Sequence, residues 1–307
     1  MENIYEVASS NKRKSFLIIV VFVFFVGTSI YLISQALGYY WGYEPGGLGA
    51  MGIALILSGL LSFGGYYFSD SIVLSISGAR PADRRRDFNF YTAVENLCIA
   101  SGLPKPRLYI IEDSATNTFA TGRDPGHAVV CATTGLLEKL SRTELEGVIA
   151  HELTHIKNYD TRLMSVVAVL VGTVALLGDW LLRAGWRGRS SKGSGGAGAI
   201  VLLLGILFAI LSPIIARLIQ LAISRRREFM ADAGSVSLTR QPAGLISALE
   251  KISSDHEPLE AANKATAHLF IANPFKEKRA SSVGWFASLF NTHPPMQERL
   301  SALKKMA

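Results

Sequence analysis

The sequence predicts an α+β membrane protein in which four transmembrane helices, paired into two hairpins, alternate with two water-soluble blocks that combine into one domain. Three observations predict it. No charged residue occurs between Lys14 and Glu44, and three further long apolar runs follow. Segments 81–161 and 225–307 instead carry helix and strand periodicities bounded by turn residues. The first of these blocks contains HELTHIKNYD, His151 to Asp160, ending where the third apolar run begins. A hydrophobic content of 49% in 307 residues, with a positive mean hydropathy, agrees with membrane insertion.

Residues 1–80 form the first membrane hairpin, with spans at about 16–38 and 49–68. Lys12, Arg13 and Lys14 precede the first span as they would a secretory signal. The apolar run is longer than a signal core and no small-residue cleavage site follows it before Tyr39, which makes it an anchor. Spans at about 163–182 and 198–223 form the second hairpin, within 162–224. Basic residues at 11–14, 80–86 and 225–227 gather on one side, which the positive-inside rule makes cytoplasmic, and the loop from Tyr39 to Leu48 carries none. The loop from Arg183 to Gly196 runs against that rule with three arginines and a lysine. The expected location is a cell membrane, multi-pass, with the water-soluble domain facing the cytoplasm.

The net charge of +7 is placed largely at membrane flanks, where anionic head groups account for it, so the lipid bilayer is a partner and nucleic acid is not. Cys98 and Cys131 have no close spacing and read as core cysteines. In the first soluble block, residues 87–103 have helical periodicity stopped by Gly102. Residues 106–113 and 127–133 read as strands, and between them Gly122 and Asp124-Pro125-Gly126 supply the turn of a hairpin. Ser141 and Glu144 make a capping box that opens a helix running through the histidines. A last helix follows Pro294-Pro295.

On that helix, positions i and i+4 lie about 40° apart around the axis and about 6 Å along it. His151 and His155 can therefore close on one ion, with Glu152 beside them to take a proton from water. A catalytic zinc takes three protein ligands. The search for a third finds Glu228 in SRRREFMAD, with Asp232 one turn further on, placed to hold the outer nitrogen of a ligating histidine.

With these motifs in order, NTFATG, VIAHELTHIKNYD, SRRREFMADAGSV, FIANPF and LFNTHPPMQERLSAL, the chain resembles the HtpX family of membrane-bound zinc metallopeptidases over nearly its whole length. The resemblance implies a mainly helical gluzincin-type domain with a small antiparallel sheet. It implies one zinc per chain held by His151, His155 and Glu228, and Glu152 as catalytic acid/base. It implies an edge strand, Asn117, Thr118, Phe119 and Ala120, that pairs with an extended polypeptide. The family strand usually reads Asn-Ala-Phe-Ala, and the departure falls on the Thr118 side chain. The family role is protein quality control under stress, cleaving misfolded or damaged membrane proteins. His293, in NTHPP, either stabilises an oxyanion or caps the last helix. Asp160 either braces the zinc helix or caps span three. The alternatives are a prenyl-protein (CAAX) endopeptidase-like enzyme, whose relatives carry more spans, and a non-catalytic zinc-stabilised membrane scaffold, which has no need of Glu152.

Overall fold

The computed structural model describes residues 4–41, 56, 59–60, 63–167, 225–262, 266–274 and 294–307. The first helix, α1, runs through Ile4–Trp41 as one continuous backbone, and Phe16, Leu17, Val21 and Phe24 on it are exposed. Among the described residues no helix is long and apolar enough to cross a membrane. Many side chains of α1, and most of the spans expected at about 49–68, 163–182 and 198–223, lie outside the described residues.

After a short helix, α2 at Ser69–Ile76, the two-residue strand β1 at Arg80–Pro81 leads to α3 at Phe88–Ser101. Gly102 ends α3 in the left-handed region, φ 69°, where a side chain would be strained. Strands β2 (Arg107–Ile111), β3 (Thr118–Thr121) and β4 (Val129–Thr133) follow, then α4 (Thr134–Lys139) and α5 (Arg142–Lys157). Beyond the second expected hairpin come α6 (Arg225–Thr239), α7 (Pro242–Ser254) and, near the end of the chain, α8 (Met296–Lys304).

The sheet order is β1-β2-β4-β3, and the sheet is mixed rather than antiparallel. Residues 107–111 and 129–133 do not form a hairpin with each other, because TFAT between them is itself a strand. The chain reverses twice, so β4 inserts between its neighbours, parallel to β2 and antiparallel to β3. The turn chemistry at Gly122 and 124–126 serves the β3–β4 hairpin instead. Gly122 has φ 131°, and a Cβ there would meet the His127 carbonyl at 2.4 Å.

One face of the sheet packs on α3 and α5 through Phe90, Val94, Leu108, Val130, Val148 and Ile149, all buried. Apolar residues on these elements bury at roughly 25 cal/mol per Å² of surface removed from water, which fixes α5 rigidly over the sheet. Close approach of α5 to α7 depends on Gly147, where a Cβ would stand 2.8 Å from the Leu245 nitrogen. Ser235 on α6 donates to the Gly147 carbonyl at 2.6 Å and joins the third helix.

Candidate active site

The capping box starts α5 as the sequence indicates: the Ser141 side chain takes the Glu144 N–H, and the Glu144 carboxylate takes the Ser141 N–H at 2.7 Å. Four turns of helix then carry His151, Glu152 and His155 to a buried face. From α6, Glu228 and Asp232 reach the same place, and both are buried.

The donor set converges. His151 Nε2 and His155 Nε2 stand 3.1 Å apart, and Glu228 lies 3.8 Å from the first and 3.5 Å from the second. A tetrahedral ion at about 2.0–2.1 Å from each of two nitrogens holds them roughly 3.3 Å apart, so the spacing fits a metal. Among the described residues these three form a group able to hold an ion, with ligand atoms all within 4.8 Å of one another. Their outer nitrogens are already taken. His151 Nδ1 lies 2.9 Å from Asp232 Oδ1, and His155 Nδ1 lies 3.0 Å from Asp160 Oδ2. With each Nδ1 facing a carboxylate, the neutral tautomer leaves both Nε2 lone pairs aimed at the ion position.

The reach of Asp160 back to His155 depends on a break after α5. Tyr159 adopts φ 58°, unusual for a residue with a side chain, and turns the chain at that point. The N-terminal helix packs on this turn. Asn11 Nδ2 donates to Asp160 Oδ1 at 2.7 Å and to the Asn158 carbonyl at 2.8 Å, and Lys12 Nζ sits 4.0 Å from the centre of the Tyr159 ring. Arg227 adds an ion pair to Asp160 at 3.4 Å.

Electrostatics at the site follow from burial and crowding. Burial pushes Glu152 up to about 7, against the pull of His155 and Arg299, while Glu228 pushes the same way as burial. The Ala120 main chain on β3 also pulls Glu152 downward. Burial drives His151 down to about 4, with His155 and Arg299 adding to the effect and Asp232 opposing it. For His155 burial also works downward, but Asp160, Glu228 and Glu152 outweigh it and raise the group to about 9. A metal entering such a site displaces a proton from the histidine pair.

Arg299, on α8, is a site residue that sequence reasoning missed. It is fully buried, and its guanidinium forks onto Asp232, with Nη2 at 2.6 Å from Oδ1 and Nε at 2.9 Å from Oδ2. Its Nη1 lies 3.5 Å from Glu228 Oε2. The only signal was its place in MQERL, where a lone arginine reads equally well as a solvated helix face. His293 lies outside the described residues. His268 is buried, its Nε2 3.2 Å from the Met164 carbonyl.

Strand β3 is the edge of the sheet, with Asn117 just before it. The Thr118 hydroxyl donates to the Cys131 carbonyl at 2.8 Å, so the added group of this residue is satisfied inside the hairpin.

A helix carrying two histidines and a glutamate, a second helix supplying a distant carboxylate, and a sheet edge alongside define the class of metal-dependent peptidases. The family model for peptidase family M48 matches residues 85–307. Over 99% of this chain and 98% of the relative, the sequence is 44% identical to the Protease HtpX homolog of Thermoanaerobacter pseudethanolicus. It is 42% identical to the Protease HtpX homolog of Caldanaerobacter subterraneus subsp. tengcongensis over 99% and 98%. Against that of Tropheryma whipplei it is 42% identical over 98% of each. The chain belongs to peptidase family M48, among its HtpX proteases, and is a metallopeptidase.

Proposed function

We propose that this metallopeptidase is a zinc-dependent endopeptidase anchored in a cell membrane by four spans, its catalytic domain facing the cytoplasm, and that it degrades misfolded or damaged membrane proteins. The observation that carries the chemistry is the buried convergence of His151, His155 and Glu228, with a carboxylate behind each histidine and Glu152 at its side. These three residues hold one zinc ion, which when bound supplies a Lewis acid for the scissile carbonyl and acidifies a water.

The residues of the chain do the rest. Glu152, raised to about 7 by burial, is placed to take the proton of the attacking water and to hand it to the leaving amine. Asp232 and Asp160 hold the histidine rings in the orientation and tautomer that ligation requires. Arg299 neutralises Asp232 and Glu228 at the floor of the site. An extended polypeptide is taken along Asn117 to Ala120, main chain to main chain, which makes selection broad. His155 and Glu228 flank the second expected hairpin on either side, which supports a site close above the membrane surface and substrates that arrive within the bilayer.

Purified full-length protein tests this reading through zinc content and casein hydrolysis together. Glu152→Gln is expected to keep zinc and fold while losing at least ~10²-fold in turnover. Glu228→Ala is expected to lose the metal, because two histidines alone hold it weakly. Wild-type turnover in the first variant, or full zinc occupancy in the second, contradicts the assignment.

A further inference from the structure

The outer edge of β3 is already in use. Along an antiparallel strand the main-chain groups alternate in direction. The Asn117 carbonyl faces β4, where it accepts from Thr133 N at 3.1 Å. Thr118 and Ala120 therefore direct their main-chain groups to the opposite side, the side where a polypeptide would add. There the chain meets itself. Ile271 N donates to the Thr118 carbonyl at 2.9 Å, and Phe270 forms an antiparallel bridge with Phe119. The Asn117 side chain grips the next residue at both ends: Nδ2 donates to the Ala272 carbonyl at 3.1 Å, and Oδ1 accepts from Ala272 N at 3.4 Å.

This segment is also linked to the ligand cluster through Arg299. Arg299 Nη1 donates to the Ile271 carbonyl at 3.4 Å, and the same nitrogen lies 3.5 Å from Glu228 Oε2. Phe270 and Ile271 are buried, and the rings of Phe119 and Phe270 stack edge to face with centroids 5.0 Å apart. The segment is tethered on both sides, by a 3₁₀ turn at Ala267–Leu269 and by Leu259 N donating to the Pro274 carbonyl at 3.1 Å. Its hold on β3 is a single bridge rather than a ladder.

We propose that Phe270 to Ala272 is an internal strap seated where an extended substrate pairs with β3, so that the folded enzyme is latent until a polypeptide displaces it. The inference rests on the endopeptidase reading above and deepens it. A substrate inherits the contacts of the strap: one residue gives its N–H to the Thr118 carbonyl, and the next presents its peptide group to the Asn117 amide. Because the strap is tethered, it competes at high effective concentration. Only chains that are locally unfolded and extended over several residues form enough additional bonds along the edge to win. Selection thus falls on the unfolded state rather than on a side-chain code.

The test uses full-length, zinc-loaded protein in detergent. Glu152→Gln is saturated with a fluorescein-tagged casein peptide, saturation being read by anisotropy, and amide hydrogen exchange is followed with and without it. Exchange over 267–274 is expected to rise at least several-fold on peptide binding, while 129–133 stays protected. A companion variant, Ile271→Pro, deletes the N–H that bonds Thr118. The extended backbone of Phe270, φ −73° and ψ 143°, already suits a following proline. It is expected to lower KM for the peptide several-fold with little change in kcat. If the wild type cleaves casein but the strap stays protected in the peptide-saturated variant, the strap is overturned and the endopeptidase survives. If the zinc-loaded wild type cleaves nothing, the endopeptidase reading falls and takes the strap with it.

Discussion

Asn11 sits on the N-terminal helix, yet only one side chain separates it from a proposed zinc ligand. The path runs from Asn11 Nδ2 to Asp160 Oδ1, and from Asp160 Oδ2 to His155 Nδ1, through buried groups throughout. Removing a partner behind a ligating histidine typically weakens metal binding ~10–100-fold, and Asn11 stands one step further out. Asn11→Ala is therefore expected to raise the zinc dissociation constant by about the lower of those figures. Competition with a zinc chelator, set beside a thermal melt of the chelator-treated protein, separates this from general destabilisation. Unchanged zinc affinity with a lowered melt would reduce Asn11 to a packing contact. Nothing in NKRK marks this residue as different from its charged neighbours, because the contact joins positions 149 residues apart and leaves no local periodicity. Arg299 was hidden for the same reason. His151, Glu152 and His155, by contrast, were legible because one turn of helix fixes their relation, and Glu228 with Asp232 because the proposed ligand and its outer carboxylate again fall one turn apart.

At the scale of elements, α5 is the best specified. Its start is written in Ser141 and Glu144, and the structure reinforces that cap: Glu144 also receives Lys251 Nζ at 2.7 Å and Ser247 Oγ at 2.5 Å from α7. Against the burial that opposes it, these bonds pull the Glu144 carboxyl down to about 2. The folded pKa is below the ordinary value of 4.5, so the stabilisation is fully present above that value and is lost as pH falls toward 2. The shift corresponds to at most about 3 kcal/mol, and solvent around the half-exposed Lys251 reduces it toward about 1–2 kcal/mol. Denaturant melts of Glu144→Gln should lie below wild type by that amount at pH 7, with the gap narrowing between pH 5 and pH 2. A gap that stays constant over that range would remove the charge from the explanation. Strand order was less legible than helix boundaries. Periodicity identifies 107–111 and 129–133 as strands but carries no record of direction. The four residues of TFAT, all buried, lack the polar alternation that marks a strand exposed on one face. Arg80–Pro81 is too short for any pattern to register.

Over the whole molecule, the site acts as a clasp between parts of the chain that share no continuous backbone nearby. His151 and His155 come from α5, Glu228 and Asp232 from α6, and Arg299 from α8. A zinc ion bound to the folded state alone adds about 4 kcal/mol when free zinc exceeds its dissociation constant 1,000-fold. Chelation is expected to lower the thermal midpoint of the full-length protein, and zinc add-back to restore it. Glu228→Ala should melt near the chelated wild type and ignore the chelator. If chelation leaves the wild-type midpoint in place, the three helices hold together without help from a metal.

The distribution of the buried cluster along the chain sets the order in which a ribosome delivers it. The two histidines and Glu152 emerge first, Glu228 and Asp232 follow only after the long apolar stretch between them has been made, and Arg299 comes after both. A growing chain thus passes through a long interval in which its proposed catalytic centre is incomplete. The counter-charge that sits against Asp232 and Glu228 arrives only after every proposed ligand has been made. By its plain order of synthesis, the peptidase completes this cluster only after both helices that supply the proposed ligands have been made.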